Sequence, residues 1–110
     1  MMLGTNDLLQ GATATEVATW MKAFLTALLP HCKHILLICP PPMKRGTWVP
    51  TDALVAESIH LVKEYKVLAR KPNIPFVDTR KWNIELTFDD VHCTEVGHHT
   101  FASYLMEVIP

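Results

Sequence analysis

An α/β fold with a short parallel sheet covered on both faces is what this sequence predicts, and three observations carry the prediction. Two apolar runs, Ile35–Cys39 (ILLIC) and Ile74–Val77 (IPFV), are rich in β-formers and do not alternate with polar residues, as strands buried on both faces do. Apolar residues at helical spacing lie before, between and after these runs. The resulting order, strand end, helix, strand, helix, strand, helix, is that of an α/β protein.

The elements follow in chain order. Met1–Leu3 reads as the last residues of a strand, and Gly4 to Gly11 as the connection leaving it. Val17, Trp20, Phe24 and Leu28 then recur at three and four, Met21 and Leu25 widen the stripe, and Pro30 closes the helix. After ILLIC, Pro40–Pro50 (PPPMKRGTWVP) cannot be regular structure, because three consecutive prolines supply no amide donors and lock φ. Pro50, Thr51 and Asp52 signal the next helix, with Val55, Ile59, Val62, Tyr65 and Leu68 on one face and Glu57, Lys63, Glu64 and Lys66 on a solvated one. IPFV is followed by a long connection, Lys81–Cys93. Thr94 is the expected N-cap of the last helix, with Glu95 in its first turn and Phe101, Tyr104, Leu105 and Val108 at helical spacing. All three connections leave the C-terminal ends of parallel strands, the rim where α/β proteins bind ligands.

Composition narrows the function. The chain has 110 residues, is 49% hydrophobic and carries ten Lys and Arg against eleven Asp and Glu. That is the balance of a soluble globular domain, and it leaves no excess positive charge for binding nucleic acid electrostatically. No run approaches the roughly 18 apolar residues of a membrane span, and no basic, then apolar, leader opens the chain. A βαβ crossover takes about 30 residues, so about three β/α units fit, fewer than a complete doubly wound sheet has. The three cysteines, Cys32, Cys39 and Cys93, form neither a CxxC motif nor an even set; free thiols and a reducing, cytoplasmic compartment are expected.

Two rim segments carry chemistry. In Gly4-Thr5-Asn6-Asp7 the glycine permits a sharp turn, and the Asn6 amide N–H is suited to stabilising a developing oxyanion; an Asx-turn or helix cap at Asn6 or Asp7 is the structural alternative. In Asp89-Asp90-Val91-His92, an Asp three residues before a His can accept the imidazole Nδ1–H, fixing the tautomer and leaving Nε2 free as a general base; a surface His beside acidic residues is the structural alternative, and its place at the strand rim before a helix N-cap favours the first. A nucleophile is missing. The two serines, Ser58 and Ser103, both fall on expected helices and in no nucleophile-elbow setting.

Together these segments resemble the SGNH hydrolase family, the GDSL esterases and lipases. MLGTND at Met2 to Asp7 is similar to the family's Gly-x-Asn-Asp block after its third strand. DDVHCTEVGHHTFASYL is similar to its Asp-x-x-His block, and ILLICPPPM to its fourth strand and exit loop. The resemblance spans essentially the whole chain. It implies a flavodoxin-like three-layer α/β/α parallel sheet, N-terminally incomplete, with residues 1–110 forming a single partial domain. It also implies His92 as the general base, Asp89 as its orienter, Asn6 as the oxyanion donor and Gly4 as the residue shaping the Asn6 loop. The blocks holding the nucleophilic Ser and the oxyanion Gly have no counterpart here, and position 90 is Asp where Gly is common, a residue that tolerates left-handed backbone.

The activity implied is hydrolysis or transfer of acyl groups on small carboxylic esters, with no cofactor and no metal, by a chain inactive alone. An open edge at Met1–Leu3 implies self-association or pairing with the missing N-terminal half. The alternative from another class is a non-catalytic fragment that binds a partner through that edge. His31, Cys32 and His34, and His92, His98 and His99, group in sequence, but a helix-end role for the first group and a packing or hydrogen-bonding role for His98 account for them without a metal. Trp48, Met43 and Trp82 are rim candidates for lining an acyl or leaving-group pocket, with amphipathic anchoring of the loops as the equal alternative.

Overall fold

The computed structural model describes residues 1–109. Its elements are α1 (Thr5–Leu9), α2 (Ala14–Leu28), β1 (Leu37–Ile38), α3 (Asp52–Arg70), β2 (Phe76–Val77) and α4 (Glu95–Val108). β1 and β2 pair in parallel, with Leu37 opposite Phe76 and Ile38 opposite Val77. On the other edge of β1, the Met1 amine donates to the Leu36 carbonyl at 2.6 Å and the Ile38 N–H donates to the Met1 carbonyl at 2.8 Å. That pattern is a parallel ladder, so Met1 ends a third strand position, as the sequence implied. The ladder is shorter than the apolar runs: Ile35–Cys39 contributes two strand residues and Ile74–Val77 two.

The unbroken apolar character of ILLIC now has a physical cause. Ile35, Leu37 and Cys39 pack with α1, α2 and α3, whereas Leu36 and Ile38 pack with Trp82, Ile84, Phe101 and Leu105 on the α4 side. Successive side chains point to opposite faces and both faces are covered, so every position is apolar. Helices on both faces give the three layers expected.

Helix starts follow their capping signals. Thr13 and Glu16 form a reciprocal capping box at α2, Thr51 caps α3 by accepting from the Leu54 N–H, and Thr94 caps α4 by accepting from the Gly97 N–H. Glu57, expected in solvent, reaches across to accept the Ala14 N–H at 2.6 Å and fastens α2 to α3.

The helical faces differ from the expected stripes. In α2 the buried residues are Ala14, Val17, Ala18, Met21 and Leu25, whereas Trp20 and Phe24 remain 52% and 50% exposed. The apolar arc of α2 is wider than α1 and α3 can cover, so one side of it stays open, next to exposed Leu3. In α3 the buried line is Ser58, Leu61, Val62, Tyr65 and Ala69, with Ile59 outside it. Gly4–Gly11, expected as a plain connection, contains α1, whose five residues bury only Leu8 and are too short to show a stripe. Among the described residues no helix is long and apolar enough to cross a membrane.

Candidate active site

The chemistry expected at Asp89 and His92 is assembled by one tight loop. The antiparallel bridge between Leu86 and Cys93, with the Thr87 N–H donating to the His92 carbonyl at 2.7 Å, closes it as a hairpin. Its turn is bonded from the Asp90 N–H to the Thr87 carbonyl at 3.0 Å, with Asp90 left-handed at φ +59°. Asp takes this conformation at lower cost than most residues, and so stands where Gly would be conventional.

Inside the loop Asp89 is 5% exposed and fully bonded. Its Oδ1 accepts from the Thr87 hydroxyl at 2.8 Å and from the Val91 and His92 N–H groups, both at 2.9 Å, while Oδ2 meets His92 Nδ1 at 2.5 Å. The backbone N–H of His92 is the largest influence holding the carboxyl well below its usual range; the imidazole, the Val91 N–H and the Thr87 hydroxyl add to it, and burial opposes them. An ionised Asp89 therefore accepts the proton on Nδ1, which places the Nε2 lone pair of the neutral ring outward. The His92 side chain is 68% exposed, so Nε2 is accessible.

Two neighbouring segments support the loop. The Glu85 carbonyl accepts from the Thr94 N–H at 3.1 Å, and Gly97 in the first turn of α4 lies so close that a Cβ there would stand 2.1 Å from that carbonyl. From the Pro40–Pro50 connection, Gly46 sits against the Asp90 carboxylate, where any side chain would collide with it. The Gly46–Val49 turn brings Trp48 next to His92, with ring centroids 6.4 Å apart and planes at 79°. Gly46 gave no sequence signal, because its contact with Asp90 is long-range.

Gly4 and Asn6 lie elsewhere on the same rim. Gly4 is buried at φ +131°, and a Cβ would meet Leu61 at 2.9 Å, the Tyr65 hydroxyl at 3.0 Å and Val17 at 3.2 Å. Only glycine fits both the backbone and the space. Tyr65, buried in α3, donates its hydroxyl to the Leu3 carbonyl at 2.8 Å and so ties this loop to the core, a link that its helical spacing does not reveal. The N-cap of α1 is Gly4, without a side-chain bond, so Asn6 is no cap: it is an exposed residue of the first helical turn. Asn6 follows the strand position on one side of β1, and His92 follows β2 on the other. No hydrogen bond among the described residues joins Asn6 to the Asp89–His92 pair.

Other candidates resolve into structure. Met43 is buried in the main core and its N–H donates to the Ser58 hydroxyl at 3.0 Å. Trp82 is buried too, stacked on Tyr104 at 5.1 Å and edge-on to Phe101 at 5.3 Å. Of the three rim candidates only Trp48 is exposed. Ser58 is buried and donates to the Val55 carbonyl, and Ser103 donates to the His99 carbonyl. Neither is displayed beside His92. His98, expected to pack or to hydrogen-bond, is exposed.

The chain is thus an α/β protein with a helix-covered parallel sheet and a hydrogen-bonded Asp–His pair on the loop after its last strand. The chain matches the GDSL-like Lipase/Acylhydrolase family over residues 1–100, and it belongs to that family. Solved structures share the fold. The M. smegmatis aryl esterase is 24% identical with a TM-score of 0.81, over 96% of this chain and 56% of its own. An acetylxylan esterase from Geobacillus stearothermophilus is 21% identical with a TM-score of 0.78, over 96% and 56%. An Agrobacterium tumefaciens protein described as an arylesterase by similarity is 22% identical with a TM-score of 0.69, over 98% and 59%. The chain thus spans just over half the length of these structures. Among curated proteins none matches it.

Proposed function

We propose that this chain supplies the acid–base pair and an oxyanion donor of an SGNH-type carboxylic ester hydrolase, and that the nucleophilic Ser belongs to a portion of the fold outside these residues. The observation that carries the reading is the 2.5 Å contact between Asp89 Oδ2 and His92 Nδ1, with Oδ1 held by three further donors. The solved structures of the acetylxylan esterase include catalytic mutants at a Ser, an Asp and a His three residues after that Asp. Asp89 and His92 have the same spacing. In that enzyme the Ser precedes the Asp by more residues than the whole stretch before Asp89 in this chain.

The chemistry follows from the roles. The Ser hydroxyl attacks the ester carbonyl while His92 Nε2 takes its proton, forming a tetrahedral intermediate whose oxyanion Asn6 stabilises. Asp89 balances the charge on the imidazolium. As the carbon–oxygen bond to the alcohol breaks, His92 returns the proton to the departing oxygen, leaving an acyl-serine. Water, deprotonated by His92, then releases the acid and restores the Ser. Asn6 is carried as the oxyanion donor by its motif position and its free, exposed side chain.

Pairing follows from the open side of α2. Trp20 and Phe24, with Leu3, border a cavity of about 150 Å³ beside the unpaired edge at Met1. Such an edge and apolar face are suited to the N-terminal portion of the fold, or to self-association where that portion is absent. Without it the chain is inactive.

A fluorophosphonate probe, which forms a covalent bond with an activated Ser, tests the assignment. The chain alone is expected to remain unlabelled, whereas in a complex with an N-terminal Gly-Asp-Ser portion the label falls on that Ser. Labelling of Ser58 or Ser103 would overturn the reading.

A further inference from the structure

Trp48 is large, apolar and 53% exposed, yet it is displayed by a well-fastened turn. The Gly46 N–H donates to the Val49 carbonyl at 3.0 Å and the Val49 N–H returns the bond at 3.1 Å, so only Thr47 and Trp48 project from the tip. Val49 is completely buried behind it, and Gly46 rests on Asp90. The turn is therefore anchored at one end in the core and at the other on the loop that carries His92. An indole this exposed on a turn whose backbone is this well fastened gains little from burial, which marks it as a surface for something else to cover.

Its position says which part of an ester it would meet. The indole and the imidazole stand at 79° with centroids 6.4 Å apart, forming a corner with two aromatic walls. His92 protonates the oxygen of the departing alcohol, so atoms bonded to that oxygen, and not those of the acyl chain, lie against the second wall. A planar aromatic ring can stack on the indole while its oxygen faces Nε2. A sugar ring would need hydrogen-bond partners as well, and with the Gly46 and Val49 amides bonded to one another the turn's tip offers it chiefly Thr47.

We infer that Trp48 determines specificity on the leaving-group side, receiving the aromatic ring of a phenol ester as its alcohol is expelled beside His92. This rests on His92 being the general base, but it can be read without turnover.

The test is a titration of the ¹⁵N-labelled chain with phenol, methyl β-xyloside and 1-hexanol, followed through the Trp48 indole N–H and the His92 ring protons. Phenol is expected to shift both sets of signals together. Trp48→Ala should weaken phenol binding about three- to tenfold, the range that aromatic stacking contributes, and Trp48→Phe should restore most of it. Hexanol should bind no better to the wild type than to Trp48→Ala. Unchanged phenol affinity in Trp48→Ala, or phenol shifts that miss His92, would overturn the inference; so would xyloside binding tighter than phenol, which would assign the corner to a sugar. An inactive reassembled enzyme would instead remove the hydrolase reading while leaving ring binding at Trp48 measurable.

Discussion

Replacing Gly97 by Ala sets two physical effects against each other, and the structure decides between them. Gly97 lies within the first turn of α4, where Ala would ordinarily stabilise a helix by about 0.5–1 kcal/mol. The added Cβ, however, would stand 2.1 Å from the Glu85 carbonyl oxygen and 3.3 Å from Cys93 Cβ. The obstacle is backbone, so relief requires the 85–94 loop to move by about 1 Å, against a core that yields only at about 1–3 kcal/mol. That movement also breaks the Thr94 N–H bond to Glu85, worth about 1 kcal/mol. The balance is a net destabilisation of about 1–3 kcal/mol, opposite in sign to helix propensity. Urea unfolding followed by tryptophan fluorescence would measure it, with Ser103→Ala on the exposed side of the same helix as control, expected within about 0.5 kcal/mol of wild type. Because the displaced loop carries Asp89, the His92 Nδ1 proton signal should broaden too. A Gly97→Ala chain as stable as wild type, with that signal intact, would refute the close approach.

Three further outcomes are expected. Gly4→Ala should destabilise by about 2–4 kcal/mol, combining positive φ with crowding, whereas Gly11→Ala, at φ +100° with nothing within 4 Å, should cost only about 1 kcal/mol; equal losses in parallel denaturant curves would argue against the packing of Val17, Leu61 and Tyr65 on Gly4. Asp89 has a folded pKa depressed below its ordinary value of 3.8, so its contribution to stability is complete above that value and is withdrawn as pH falls through the folded pKa. Stability of the wild type measured from about pH 5 down to about pH 2 should therefore fall more steeply than that of Asp89→Asn. Burial, then Asp78, pushes the Cys39 thiol up to about 12, so iodoacetamide at pH 8 should alkylate Cys32 while Cys39 stays protected, as peptide mass spectrometry would show.

What could be read from the sequence was local. Asp89 and His92 are three residues apart, and a single turn suffices to join them, so residue type and spacing were enough. The two-faced burial of Ile35–Cys39 was legible for the same reason, since a strand that is apolar at every position needs cover on both of its faces. The missed features depend on contacts far apart in the chain. Gly46 on Asp90, the Tyr65 hydroxyl on the Leu3 carbonyl and Glu57 on the N-terminus of α2 leave no periodic trace. Trp20 and Phe24 lie on the helix that their spacing predicts, but their burial depends on a neighbour that no period can specify. Met43 and Trp82 look like rim residues because their segments are irregular, yet both turn inward, Met43 beside Ser58 and Trp82 against α4.

His92, oriented by Asp89, is proposed to activate a Ser supplied from outside this chain. The most direct measurement of that activation is p-nitrophenyl acetate hydrolysis by this chain, by an N-terminal Gly-Asp-Ser portion of the fold, and by the two together. Turnover is expected only from the pair, lost on His92→Ala and reduced by about 10⁴ on Asp89→Asn. Strong turnover by this chain alone that disappears on Ser58→Ala, or activity of the pair that survives His92→Ala, would contradict it.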